Sequence, residues 1–250
     1  MLSGALREKK LIRRVIVWAA GLFILSFGVA LSINAALGVS PVTSLGYVLS
    51  LIDLSARGDA ALSTGTFVNI TFCFLILIQI AILRKKFKWI NLAQLLSSTV
   101  FGWLVDLTRW IIGDFTLAAY FGERTIFSIG NFVVSTGYLG QLLMLAASIV
   151  IIALGIIIFV DAKMINLPME GLIVTITEVS QKAKFHIVKI IADSALVAMG
   201  IIFSLIFLGY LSGIREGTVI AAIFVGKVMP FVRKIAVPVL NRVGIYEKVS

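Results

Sequence analysis

From Val15 to Ile52 the chain runs for 38 residues without a charged side chain. A helix needs about 20 apolar residues to cross a bilayer, so this run is nearly two crossings long. Yet Gly38 and Pro41 sit in its middle, within "NAALGVSPVTSLG" (34–46), and both residue types interrupt a continuous helix. Breaking a backbone at membrane depth costs several kcal/mol for each polar group left without a partner, so breaks are confined to places buried in protein or lining a cavity. The stretch therefore predicts a spanning helix, a break and a short helix.

The rest of the chain carries the same signature. Its 250 residues are 60% hydrophobic, with a mean hydropathy of +1.09, which fits a polytopic membrane protein and excludes a soluble domain. Arg7, Lys9, Lys10, Arg13 and Arg14 precede the first apolar segment as in a signal peptide. That segment far exceeds a signal's apolar core, so an uncleaved first helix is expected. One cysteine, Cys73, and one histidine, His186, leave no internal disulfide and no cysteine- or histidine-based metal centre, and no cofactor is expected.

The net charge of +10 is explained by position. Lys and Arg cluster at 7–14, 84–88, 163–189 and 227–248, each block beside an apolar segment, as the positive-inside rule requires of cytoplasmic loops. No separate basic domain is left to hold nucleic acid. Hydropathy predicts six spans, at 14–37, 64–83, 89–111, 139–160, 186–208 and 216–236, with both termini cytoplasmic. Pieces 41–53 and 168–180 are too short to cross. The stretch 113–138 is then an extracytoplasmic connecting loop.

The short pieces fall in register. "GVALSINAALGVSPVTSLG" from Gly28 aligns with "GIIIFVDAKMINLPMEGLI" from Gly155 at an offset of 127, pairing Gly28 with Gly155, Ala35 with Ala162 and Pro41 with Pro168. Asn34 falls on Asp161. At an offset of 124, Asn69 falls on Asp193. An internal repeat follows: 1–112 with half-helix 41–53, and 139–250 with half-helix 168–180. Three spans per half put the second half into the membrane upside down. Inverted repeats with broken helices at corresponding positions point to a transporter's binding site. The expected fold is all-α, with two inverted three-helix repeats, each carrying a re-entrant half-helix.

The chain resembles the bacterial YczE/YyaS/YitT group of integral membrane proteins. The resemblance rests on "LGVSP" (37–41), "NLP" (166–168), "FGWLVDL" (101–107) and "REGTVIAAIFVGKVMP" (215–230), and covers most of 15–235. Val42 and Thr43 stand where the group usually has a bulky aromatic and an acid, while the second half has Met169 and Glu170. The resemblance implies a bacterial cytoplasmic (inner) membrane protein and, loosely, transport.

Substrate-binding candidates come from the breaks and the intramembrane polar residues. Ser40-Pro41 starts one short helix, with Thr43 and Ser44 in its first turn. Such a helix start with free amides suits an anion or a carboxylate. Asn166 and Pro168 lead into the other, whose first turn holds Glu170. A neutral break and an acidic one would suit a small polar solute, zwitterionic in the simplest case. Asp193 lies well inside the fifth span, where a carboxylate is costly and functional by default; Lys227 is its expected ion partner, with Lys189 as the alternative. Asn34, Asn69 and Thr218 complete the binding set. Asp193, Glu170 and Lys227 are the candidates for ion or proton coupling. Asp106 and Arg109, three residues apart, read as a surface ion pair. Gly21, Gly28, Gly102, Gly155 and Gly226 read as close-packing positions.

Enzyme chemistry fails on inventory: no metal pair of histidines, no aspartate pair on the spans and no nucleotide-binding loop. The expected function is secondary transport of a small polar metabolite bound near the midplane. The alternatives are a substrate-binding membrane subunit that needs an external energising partner, and a non-transporting accessory membrane protein. The bilayer is the other expected partner, and homo-oligomers are compatible with the composition.

Overall fold

The computed structural model describes residues 2–58, 62, 64–87, 89–113, 125–129, 132–180 and 182–242. Helix α1 (Leu2–Asn34) is followed by α2 (Pro41–Arg57), α3 (Thr64–Leu83) and α4 (Gln94–Ile112). A short antiparallel hairpin, β1 (Thr125–Ile129) and β2 (Phe132–Ser135), pairs Thr125 with Ser135 and Ile129 with Phe132. It lies in the connecting stretch whose structure the sequence pattern leaves open. Then come α5 (Thr136–Asp161), α6 (Pro168–Ser180), α7 (Phe185–Phe203) and α8 (Glu216–Arg242).

Among the described residues, five helical stretches are long and apolar enough to cross a membrane: Leu11–Asn34, Thr66–Leu83, Asn91–Ile112, Gly137–Asp161 and Phe185–Leu208. The chain thus has the make-up of a multi-pass membrane protein. Its outward surface agrees, since Leu77, Ile191, Ile206, Phe231 and Ile235 are all exposed. In water such a surface would be an aggregation hazard; against lipid it is ordinary. The sixth expected span, 216–236, lies within α8, which is long enough but carries Lys227, Arg233 and Lys234 and does not meet the same apolarity.

Both breaks have one geometry. α1 stops at Asn34 and α5 at Asp161; Ala36 and Lys163 then turn left-handed at φ 56° and 53°. Pro41 and Pro168 begin the next helices. Each pair is 127 residues apart. Proline favours these starts because it lacks only an N–H that the first turn leaves unbonded anyway, and it holds the preceding Ser40 extended. The broken backbone is satisfied by protein. Gly217 N–H donates to the Leu37 carbonyl at 2.9 Å and Val39 N–H to that of Gly213 at 3.2 Å. Trp18 Nε1 donates to the Ile165 carbonyl at 2.7 Å.

α1 and α5 form the centre. A methyl group added at Gly21 would lie 2.5 Å from Phe159 N, at Gly28 2.8 Å from Ile152 N, and at Gly155 2.5 Å from Leu25 N. As one number rises the other falls equally, so the helices run antiparallel with backbones in near contact, the arrangement small residues allow. Gly226 is similarly closed in, 2.7 Å from the His186 carbonyl. Gly102 differs from expectation: among the described residues nothing lies within 4 Å of its added methyl, so it opens space rather than closing it. Around the seam pack Leu22, Met144, Ile156, Val225 and Met229.

α2 and α6 both pack against α3 and α7, towards opposite ends. Gly46 of α2 abuts Val68, early in α3, whereas Pro168 of α6 meets Gln79, late in it. Ser44 lies beside Gly200 near the end of α7, and Glu170 beside Lys189 near its start. The proline-led starts of both short helices therefore point toward the middle of the bundle.

Candidate functional site

Three charged side chains are buried where those starts converge. Glu170, in the first turn of α6, is 3% exposed, and Lys189 and Asp193, one turn apart on α7, are 2% each. Lys189 Nζ lies 3.0 Å from both carboxylate oxygens of Asp193 and 3.4 Å from Glu170 Oε1. The i,i+4 spacing puts lysine and aspartate on one helix face, and the packing of α6 on α7 brings in the glutamate. A single ammonium thus serves two carboxylates. Charges so buried are held only when paired, and the Glu170 contact is the looser.

The cluster forms one edge of a cavity of about 70 Å³, whose other walls are mainly apolar, among them Leu25, Val29, Phe72, Phe101 and Val225. Ser40, Pro41, Val42 and Thr43, the start of α2, line it too. Its walls thus include the partly positive end of α2 as well as the carboxylates. The volume holds a few heavy atoms, or about two waters.

The expected residues divide into three groups. Ser40, Pro41, Thr43, Glu170 and Asp193 line the cavity. Ser44, Pro168 and Thr218 stand behind it in structural bonds. Ser44 Oγ donates to the Pro41 carbonyl at 2.7 Å, Thr218 Oγ1 to that of Val39 at 2.6 Å, and the Pro168 carbonyl accepts from Gln79 Nε2 at 3.0 Å. Asn34, Asn69 and Asn166 lie elsewhere. Asn34 Nδ2 donates to the Gly113 carbonyl at 2.9 Å at the exposed end of α1. Asn69 is exposed in a wide vestibule, and Asn166 lines a second one, its buried Oδ1 without a partner among the described residues.

Lys227 requires correction. It is exposed, with Nζ 5.4 Å from the centre of the Phe224 ring, and takes no part in the cluster; Asp193 pairs with Lys189 instead. Its neighbour Gly226 packs on His186 and Ile190, toward the start of α7, and the Lys227 side chain leaves the helix on the outer face. The Asp106 side chain of the expected Asp106–Arg109 pair lies outside the described residues.

Sequence reasoning missed Gln79. It is fully buried, and its amide exchanges hydrogen bonds with Gln94 at 3.0 and 3.1 Å. Among the described residues no group of three His, Cys, Asp or Glu side chains is gathered as a metal site requires.

The model of a family of unknown function, DUF6198, matches residues 12–234. The chain belongs to that family. The matched stretch takes in both breaks, the Glu170–Lys189–Asp193 cluster and the two glutamines. No curated protein and no solved structure matches the chain.

Proposed function

We propose that this chain is a secondary transporter of a small polar solute, built from two inverted repeats of three spans, with α8 as the sixth. The carrying observation is the buried Glu170–Lys189–Asp193 cluster on the wall of a cavity where two interrupted helices begin. Intramembrane charges are costly and concentrate at substrate and ion pathways, and broken helices at corresponding positions mark such sites.

The repeat is supported by contacts that recur at one offset. Gly28 meets Ile152 and Gly155 meets Leu25; adding 127 to the α1 member of either contact, and subtracting it from the α5 member, yields the other. Similarly, Thr218 bonds the Val39 carbonyl and Ser97 that of Asn166, and 39 and 166 differ by 127. Two equivalent helices packed antiparallel are related by an axis perpendicular to both, which lies in the membrane plane when they span. In α8, Lys227 reaches outward along its own aliphatic stem, and Arg233 meets Asp161 at 3.3 Å. The basic blocks support a cytoplasmic side for residues 84–88, 163, 182–184 and both termini, and the resemblance to the YczE/YyaS/YitT group supports a bacterial inner membrane.

The solute carries an ammonium group for Glu170 and, in the simplest case, a carboxylate for the partly positive start of α2. The test is a thermal-stability screen of the purified protein against small amines, amino acids and carboxylic acids, with Glu170→Gln alongside. A ligand of the folded state at a hundred times its dissociation constant adds about 2.7 kcal/mol. Small zwitterions should raise the melting temperature of wild type and not of the variant. No shift with any solute, together with a variant that merely melts earlier, would favour an accessory protein whose cluster only ties helices together.

A further inference from the structure

Two vestibules flank the central cavity, and they are separated from it very differently. The first, about 810 Å³, lies toward the α1 C-terminus and includes Asn69, Arg109 and Arg215 in its lining. It shares Val29, Ser40, Thr43, Phe72 and Phe101 with the cavity, so only single side chains stand between the two. The second, about 610 Å³, is lined by Gln79, Asn91, Gln94, Asp161, Lys163, Asn166 and Glu178, among others. Among the described residues it shares no lining residue with the cavity. Its nearest approach is through chain neighbours: Leu167 and Glu170 face the cavity, Asn166 and Gly171 the vestibule.

The vestibules correspond to one another. Ile33, Ala36, Val39 and Tyr47 line the first; Val160, Lys163, Asn166 and Val174, each 127 further on, line the second. The partition on the second side is the first turn of α6, and the two glutamines brace it. Gln79 bonds Gln94 in both directions and also donates to the Pro168 carbonyl. An added methyl at Gly171 would lie 2.6 Å from Gln94 Oε1, so the amide presses directly on that turn.

We infer that the Gln79–Gln94 pair is the gate between the solute cavity and the second vestibule, and that the structure is the state closed there. The inference rests on the transport reading for the gate's purpose. A neutral amide pair suits the role, because water replaces its hydrogen bonds at small net cost when it parts, whereas a buried ion pair would resist. Coupling to the site is direct. Glu170 and Gly171 are neighbours on one turn, so a solute that draws Glu170 from Lys189 displaces the surface on which Gln94 rests. A two-state element biased from both sides is what alternating access needs.

Side-specific thiol labelling tests it. The chain's one cysteine is removed as Cys73→Ser, and Met169→Cys, buried on the cavity wall at 1% exposure, becomes the reporter. Right-side-out and inverted vesicles are treated with a charged, impermeant methanethiosulfonate. Labelling should be confined to the face of the first vestibule, and Gln79→Ala with Gln94→Ala should raise labelling from the opposite face at least tenfold. If that double variant does not fold, Gln94→Ala alone should give a several-fold rise. Equal labelling from both faces before any glutamine change, or no rise in either variant, overturns the gate. Transport fails separately: a chain with gated labelling that moves no solute keeps the gate and loses the transporter.

Discussion

Replacing Lys189 with methionine removes the cation that holds two buried carboxylates. Its Nζ lies 3.0 Å from both oxygens of Asp193 and 3.4 Å from Glu170, and all three side chains are at most 4% exposed. Removing one partner of a buried pair costs about 3–5 kcal/mol. Protonating a carboxylate of ordinary acidity at pH 7 costs about 1.4 kcal/mol per pH unit, or about 4 kcal/mol in all, so escape by proton uptake is no cheaper. At about 2–4 °C per kcal/mol for a chain of this size, the melting temperature should fall by about 6–20 °C. The assay is thermal unfolding of the detergent-purified variant beside wild type. The triple variant Lys189→Met, Asp193→Leu, Glu170→Met should recover most of the loss, since well-packed apolar replacements of buried ion groups are often neutral or stabilising, yet it should lose all solute-dependent stabilisation. A folded Lys189→Met protein that melts within about 2 °C of wild type would refute the reasoning.

Other outcomes follow from particular contacts. Gly155→Leu should cost about 1–3 kcal/mol or more by driving α1 from α5, because even a methyl there would lie 2.5 Å from Leu25 N; Gly102→Ala should be neutral or stabilise by up to about 1 kcal/mol. Both are read by thermal unfolding. Thr218→Val strips the Val39 carbonyl of its 2.6 Å partner and should cost about 1–3 kcal/mol in the same assay. Cysteines placed at Lys85 and Lys182 in a Cys73→Ser background should be labelled from the same side of the membrane, and labelling from opposite sides would sink the inverted repeat.

What could be read from the sequence was governed by backbone chemistry. Proline after a glycine- or asparagine-bearing turn, inside runs too apolar for loops, located the starts of α2 and α6 to the residue, whereas α1 stops at Asn34, three residues before the expected end of its span. Glu170 and Asp193 were legible because a carboxylate in an apolar run needs an explanation. Helix rotation was not legible. Lys227 and Lys189 lie at comparable depth relative to Asp193, and only packing decides that one faces outward and the other inward. Gln79 left no signal, since a neutral amide in an apolar helix reads as helix glue and its partner lies across a turn. Gly102 looked like the packing glycines, and only its open surroundings separate it from them.

The measurement that tests the central claim most directly is transport by the purified protein in liposomes loaded with a pH-sensitive dye. Solutes that stabilise the folded chain are added outside, with wild type beside Asp193→Asn. The account predicts uptake of labelled solute by wild type, accompanied by proton movement where the cluster supplies the coupling charge, and loss of uptake in the folded variant. A correctly inserted wild-type protein that binds a solute and never moves it, or a variant that transports as well as wild type, would contradict it.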